Sequence, residues 1–129
     1  MYKEAVICVI TIVVIFIINM ISSNYTKESV NELTSELVEL RSEILEENVD
    51  SEKVQAKINY IFERWNDRYK ILAYYLEHDE LEKVETNLNS LLGEIETEEY
   101  SDAVSELDRT KFVLHHIERK NKFDLKNVF

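Results

Sequence analysis

The stretch Val30–Ile44, VNELTSELVELRSEI, decides the fold. Its apolar residues Val30, Leu33, Leu37, Leu40 and Ile44 step by 3, 4, 3 and 4. That spacing gathers side chains into one stripe of an α-helix. The pattern recurs downstream. Leu81, Val84, Leu88, Leu91 and Ile95 repeat the same steps. Val54, Ile58, Ile61, Trp65, Tyr69, Leu72 and Leu76 form a longer stripe. Tyr100, Ala103 (with Val104), Leu107, Leu114 and Ile117 form an imperfect fourth. The 129 residues include no proline and one glycine, Gly93. Sheet hairpins and phosphate-cradling loops need such residues, so β folds and nucleotide loops are disfavoured. The expected fold is all-α, an N-terminal transmembrane helix followed by an antiparallel four-helix bundle. Its helices are expected over about 29–47, 52–78, 80–96 and 101–121, the first continuing out of the membrane. Ser29 with Glu32, and Asp79 with Glu82, have capping-box spacing, and Ser51 and Ser101 are the expected N-caps of the second and fourth helices.

Upstream lies Ala5–Ile21, AVICVITIVVIFIINMI, with no charge and only Thr11 and Asn19 clearly polar. A run of roughly 17–25 apolar residues can cross a bilayer as a helix. A cleaved signal would want a shorter apolar core, about 7–15 residues, and a small-x-small site, which Met20–Asn24 matches poorly. No cysteine follows for a lipid anchor. A core helix would keep a polar face, and this run has almost none. The expectation is an uncleaved signal anchor over residues 1–25 and an acidic bundle domain over 26–129. Tyr2 and Tyr25 flank the run where interfacial aromatics belong. Lys3 and the short leading segment favour a cytoplasmic N-terminus and an extracytoplasmic domain on a single-pass membrane protein. Cys8, inside the run, excludes an intrachain disulfide and reads as packing.

The formal charge of -11 is unevenly spread. Residues 28–108 hold 23 acidic and 7 basic side chains, a net of -16. Residues 109–129 hold six basic and two acidic, a net of +4. So acidic a body disfavours nucleic acid as a partner. In an up-down-up-down bundle the basic end returns to the membrane, near lipid phosphates. Phe123, Leu125, Val128 and Phe129 are then expected to cover the base of the bundle or touch the interface.

Candidate chemistry is sparse. The histidines are His78, His115 and His116. Adjacent helical residues point about 100° apart, so His115 and His116 do not easily share one ion. One of them, with His78 and Glu82 or Glu118, is a candidate metal site, and a polar network between helices accounts equally for these residues. Tyr60, Trp65, Tyr69, Tyr74 and Tyr75 are candidates for a ligand pocket or for core packing with hydroxyls at the rim. No nucleophile–base–orienter set and no zinc spacing is present, so no enzyme and no cofactor is expected.

Trp65, then Tyr74-Tyr75-Leu76-Glu77-His78-Asp79-Glu80-Leu81-Glu82, then Phe112 with His116-Ile117-Glu118, and the ending Leu125-Lys126-Asn127-Val128-Phe129 form a pattern. It resembles the uncharacterised Firmicutes family known as domain of unknown function 4363. The resemblance covers most of the chain and implies a small bacterial membrane-anchored protein. It carries over no catalytic residue. It draws attention to Trp65, His78, Glu82, His116 and Asn127-Val128-Phe129.

The leading expectation is a non-enzymatic interaction domain, an accessory partner of another membrane protein at the cell surface. Trp65, Tyr69, Asn127 and Phe129 are its packing or partner residues, and the lipid bilayer is a further partner. A second reading is an extracytoplasmic ligand or metal sensor built on the His78/His116 region. A third is homo-oligomerisation through the strict heptad stripe of the first helix.

Overall fold

The computed structural model describes the backbone of residues 1–128 and the side chains of residues 1–122. Four helices follow one another: α1 Tyr2–Ile44, α2 Ser51–Leu72, α3 His78–Glu96 and α4 Tyr100–Val128. No strand occurs among the described residues. Each helix packs against its two neighbours around a square, α1 on α2, α2 on α3, α3 on α4 and α4 on α1. This is the expected antiparallel bundle, with an apolar helix leading into it.

The stripes read from the sequence form the core. Leu37, Leu40, Val54, Ile58, Ile61, Trp65, Leu81, Leu91 and Leu107 are completely buried. The gap in the fourth stripe, between Leu107 and Leu114, is filled by Thr110. Its hydroxyl donates to the Glu106 carbonyl at 2.8 Å, so a polar residue enters the core with its proton satisfied. The heptad stripe of α1 is spent on this core, from Val30 to Ile44. A coiled coil with a second copy would have to compete for it.

α1 is one unbroken helix of 43 residues, about 65 Å long at 1.5 Å per residue. The boundary placed between residues 25 and 26 therefore falls inside a helix. None of the residues of the apolar stretch near its N-terminus is buried within the chain. The lower end of the bundle closes on the last turn of that stretch. Tyr75, in the turn after α2, places its hydroxyl 2.7 Å from Thr26 Oγ1 and donates to the Ser22 carbonyl at 3.0 Å.

Several expected helix ends move. Ser29 is not a cap, because the helix does not start there; its hydroxyl donates to the Tyr25 carbonyl at 2.7 Å. Asp50, not Ser51, caps α2, accepting from the Lys53 amide at 3.2 Å. α2 ends at Leu72 rather than 78, because residues 73–76 turn to bring Tyr75 onto α1. α3 starts two residues earlier than expected, so Asp79 lies in its first turn and Glu77 takes the cap position without a side-chain bond. There Asp79 still favours the helix through its charge near the positive end of the dipole. Glu98 adopts a left-handed φ of 58° that closes the α3–α4 turn, and α4 begins at Tyr100, one residue before Ser101. α4 also continues past residue 121 to Val128.

Trp65 anchors this core and donates no hydrogen bond from its indole nitrogen. The Trp65→Ala variant is expected to lose about 3–5 kcal/mol of stability through the cavity it leaves. Trp65→Phe, which keeps an aromatic ring and breaks no hydrogen bond, is expected to lose clearly less. Urea unfolding of the detergent-solubilised protein, followed by circular dichroism, checks both. Equal stability of wild type and Trp65→Ala would refute the assignment.

Candidate functional site

Acidic side chains on α1 and basic side chains on α2 meet along one seam. Glu43 pairs with Lys53 at 3.9 Å, and Glu39 with Lys57 at 2.6 Å. Glu36 also pairs with Lys57. Glu32 takes both Arg64 and Arg68, with Arg68 Nε at 2.9 Å. The guanidinium of Arg68 also lies 5.0 Å from the Tyr25 ring centre, a cation–π contact. These residues step by 4, 3 and 4 on α1 and by 4, 7 and 4 on α2, beside the buried stripe. The ladder therefore sets the antiparallel register of α1 and α2. A second cross-helix pair, Arg41 Nε with Asp108 at 3.1 Å, ties α1 to α4.

The charges of this seam shift accordingly. The Arg64 hydrogen bond, the largest influence, outweighs burial with the help of Arg68 and holds the Glu32 carboxyl below its ordinary 4.5. Burial opposes the charge on Lys57, but Glu36 and Glu39 prevail and raise it. At the opposite end of the bundle the balance reverses. Burial, then Glu106, Asp102 and Glu99, push Glu94 above 4.5. Burial also raises the Tyr75 phenol above 10.0 against the Thr26 bond, so its proton stays in place to donate to Ser22.

The residues singled out by sequence separate. Trp65 is buried, and Tyr69 packs beside it at 5.9 Å between ring centres. Tyr75 is half-buried at the base, Tyr60 is exposed, and Tyr74 stands 89% exposed. These aromatics divide between core, base and surface. His78 and Glu82 are exposed on α3. His116 faces Glu80 across the α3–α4 seam at 3.9 Å, and Glu118 pairs with Lys122 at 3.3 Å along α4. Among the described residues no three histidine, cysteine, aspartate or glutamate side chains cluster to hold a metal ion. A shallow groove of about 600 Å³ lies beside this region, lined by Asp79, Glu82, Lys83, Thr86, Asn87 and Val113. Asn127, Phe129 and the apolar tail side chains Phe123, Leu125 and Val128 lie outside the described side chains.

Sequence reading missed Glu80, a largely buried carboxylate at 3.8 Å from Lys120 and 3.7 Å from Lys83. Lys120 also bonds Glu77 at 2.9 Å. It missed Glu32, Arg64 and Arg68 as a unit as well. The signal was present in matched acidic and basic steps flanking two stripes, which become a ladder only once the helices are known to be neighbours.

The family model described as Domain of unknown function (DUF4363) matches residues 20–128. No curated protein and no solved structure matches the chain.

Two carboxylates give opposite pH responses. Glu32 has a lowered folded value, so its contribution is present above 4.5 and lost as pH falls through that lowered value. Glu94 has a raised value, so it disfavours the fold once pH climbs through that value. Glu32→Gln is expected to destabilise at neutral pH by about 1 kcal/mol, and Glu94→Gln to stabilise by a few tenths, about 0.3–0.5 kcal/mol. Both differences should shrink in acid. Melting curves of the two variants across pH check the signs.

Proposed function

The chain belongs to the DUF4363 family, and we propose that it is a single-pass membrane protein whose bundle is a non-enzymatic interaction domain for another integral membrane protein. The observation that carries this reading is the division of α1. Its lower part is apolar on every face and contributes no buried residue, while its upper part is one wall of a complete core. Exposed apolar surface of that extent on a helix long enough to span belongs in lipid or against a partner's span. Thr11 suits such surroundings, because its hydroxyl returns its bond to the Ile7 carbonyl at 2.8 Å within the helix.

The continuity of the helix favours a retained anchor over a cleaved signal. Residues 20–24 are helical, and the Ser22 carbonyl just above the apolar run is held by Tyr75. Cleavage there would unwind a turn that the bundle itself uses. Lys3, N-terminal to the run, favours a cytoplasmic side for that end and an extracytoplasmic bundle. A bundle with a dry core and shallow grooves suits the recognition of protein surface better than the enclosure of a small ligand. The intermolecular use of the α1 heptad stripe is disfavoured by its burial.

Native co-purification tests the proposal. The tagged full-length protein is extracted from its own membranes in mild detergent, and companions are identified by mass spectrometry. One stoichiometric integral membrane protein is expected. Recovery of the protein alone would overturn the accessory role. Replacing Ala5–Ile21 with an unrelated apolar span then separates contact through the span from contact through the bundle.

A further inference from the structure

The geometry points to a second membrane contact: the turn between α2 and α3 rests in the lipid headgroup layer, with Tyr74 and Ile71 as its inserted side chains. This inference rests on the reading of Ala5–Ile21 as a span. The antiparallel ladder fixes the level of the turn. The pairs Glu43–Lys53, Glu39–Lys57 and Glu32–Arg64 move down α1 and along α2 at equal pace. The end of α2 thus arrives beside Tyr25, where Arg68 lies over the ring. Tyr75 then bonds Ser22, the residue after the apolar run ends at Ile21. If the run lies in hydrocarbon, residues 71–75 have no level available except the interface just above it.

The side chains at that level fit it. Tyr74 is 89% exposed and Ile71 48% exposed, although both are bulky and apolar. A tyrosine with a free ring and a wet hydroxyl is suited to the headgroup zone. Lys27 and Lys70 are exposed beside them, long enough to reach lipid phosphates. Of the nearby carboxylates, Glu77 is held by Lys120 at 2.9 Å and Glu118 by Lys122 at 3.3 Å. Glu28 and Asp79 are exposed at the same end, so the base has mixed charge. Attachment therefore rests on Tyr74 and Ile71 rather than on net charge, and it does not require anionic lipid. The opposite end of the bundle carries exposed Glu46, Glu47, Glu96, Glu98 and Glu99, which keeps that end off a negative surface. With one helix crossing and one turn resting, the bundle stands upright on two points instead of swinging on one.

Site-specific fluorescence in vesicles tests this. The full chain carries an environment-sensitive dye at Val13→Cys, Glu47→Cys or Ala73→Cys, each in a Cys8→Ser background, so that Tyr74 and Ile71 are kept. Because Ala73 and Glu47 are exposed, neither substitution removes a core contact. The vesicles are phosphatidylcholine alone, or phosphatidylcholine with phosphatidylglycerol, each with spin label in the headgroup or in the acyl chain. The expected result is quenching of position 13 by the chain label, quenching of position 73 by the headgroup label in both lipid mixtures, and none at position 47. Quenching at 13 with position 73 as bright as position 47 would overturn the turn contact while leaving the span intact. Loss of quenching at 13 would overturn the span and the contact together. Quenching at 73 confined to the anionic vesicles would overturn the apolar basis of the contact.

Discussion

On the proposed reading of Ala5–Ile21 as a span, the structure depends on one helix meeting two solvents without a break. A spanning segment must satisfy every backbone donor and acceptor internally, and an α-helix does so. Ending that helix at the membrane surface would expose unpaired carbonyls and need a cap. α1 avoids the ending by continuing to Ile44. Only its side-chain pattern changes, from apolar on all faces before Ser22 to one buried stripe from Val30 onward. Between them lies a polar turn, Ser22 to Ser29, and its hydroxyls are used. Thr26 and Ser29 return bonds to carbonyls one turn back, and both are buried polar groups at the base.

The rest of the bundle is aligned to that helix. Hydrophobic stripes alone let antiparallel helices slide by a turn, because leucines repeat along every stripe. The charged ladder on α1 and α2 opposes that freedom, since a one-turn slip would leave Glu32 at most one of its two arginines. Partly exposed pairs contribute little each to stability, so their main effect is on register. Tyr75 supplies a further stop. Its two hydroxyl contacts on α1 are satisfied together at only one register.

Helix number, helix faces and the long apolar run were legible, because burial follows local periodicity. Leu33, Leu37 and Leu40 announce a stripe whatever they pack against. The ends were less legible. Ser29 and Glu32 have capping-box spacing, yet the helix runs through them, because the helical apolar run upstream continues directly into the buried stripe and leaves no helix end there to cap. The end of α2 was hidden for a related reason: Leu72 to Leu76 continues the stripe, but the chain turns there so that Tyr75 can reach Ser22. Thr110 was missed because its polarity masks a core position when only apolar residues are counted. The proposed metal candidates failed to converge because spacing within a helix says nothing about which helix stands opposite. His116 faces Glu80, a residue with no distinguishing motif.

The charge distribution follows from the same architecture and bears on the role. An antiparallel bundle of even helix number brings its last helix back to the end where its first helix entered. The basic residues of α4, Arg119, Lys120 and Lys122, are thereby placed at the base, and the acidic α1–α2 and α3–α4 connections at the far end. Lys120 and Lys122 are engaged with Glu77 and Glu118, so the base is close to neutral rather than a cationic patch. At the far end burial, and then the repulsion of Glu106, Asp102 and Glu99, raises the Glu94 carboxyl. A fold that served stability alone would disperse those charges. Concentrating them at the end far from Ser22 leaves a strongly negative, solvated end, and on the proposed reading a basic surface on a neighbouring membrane protein is the complement such an end is suited to meet.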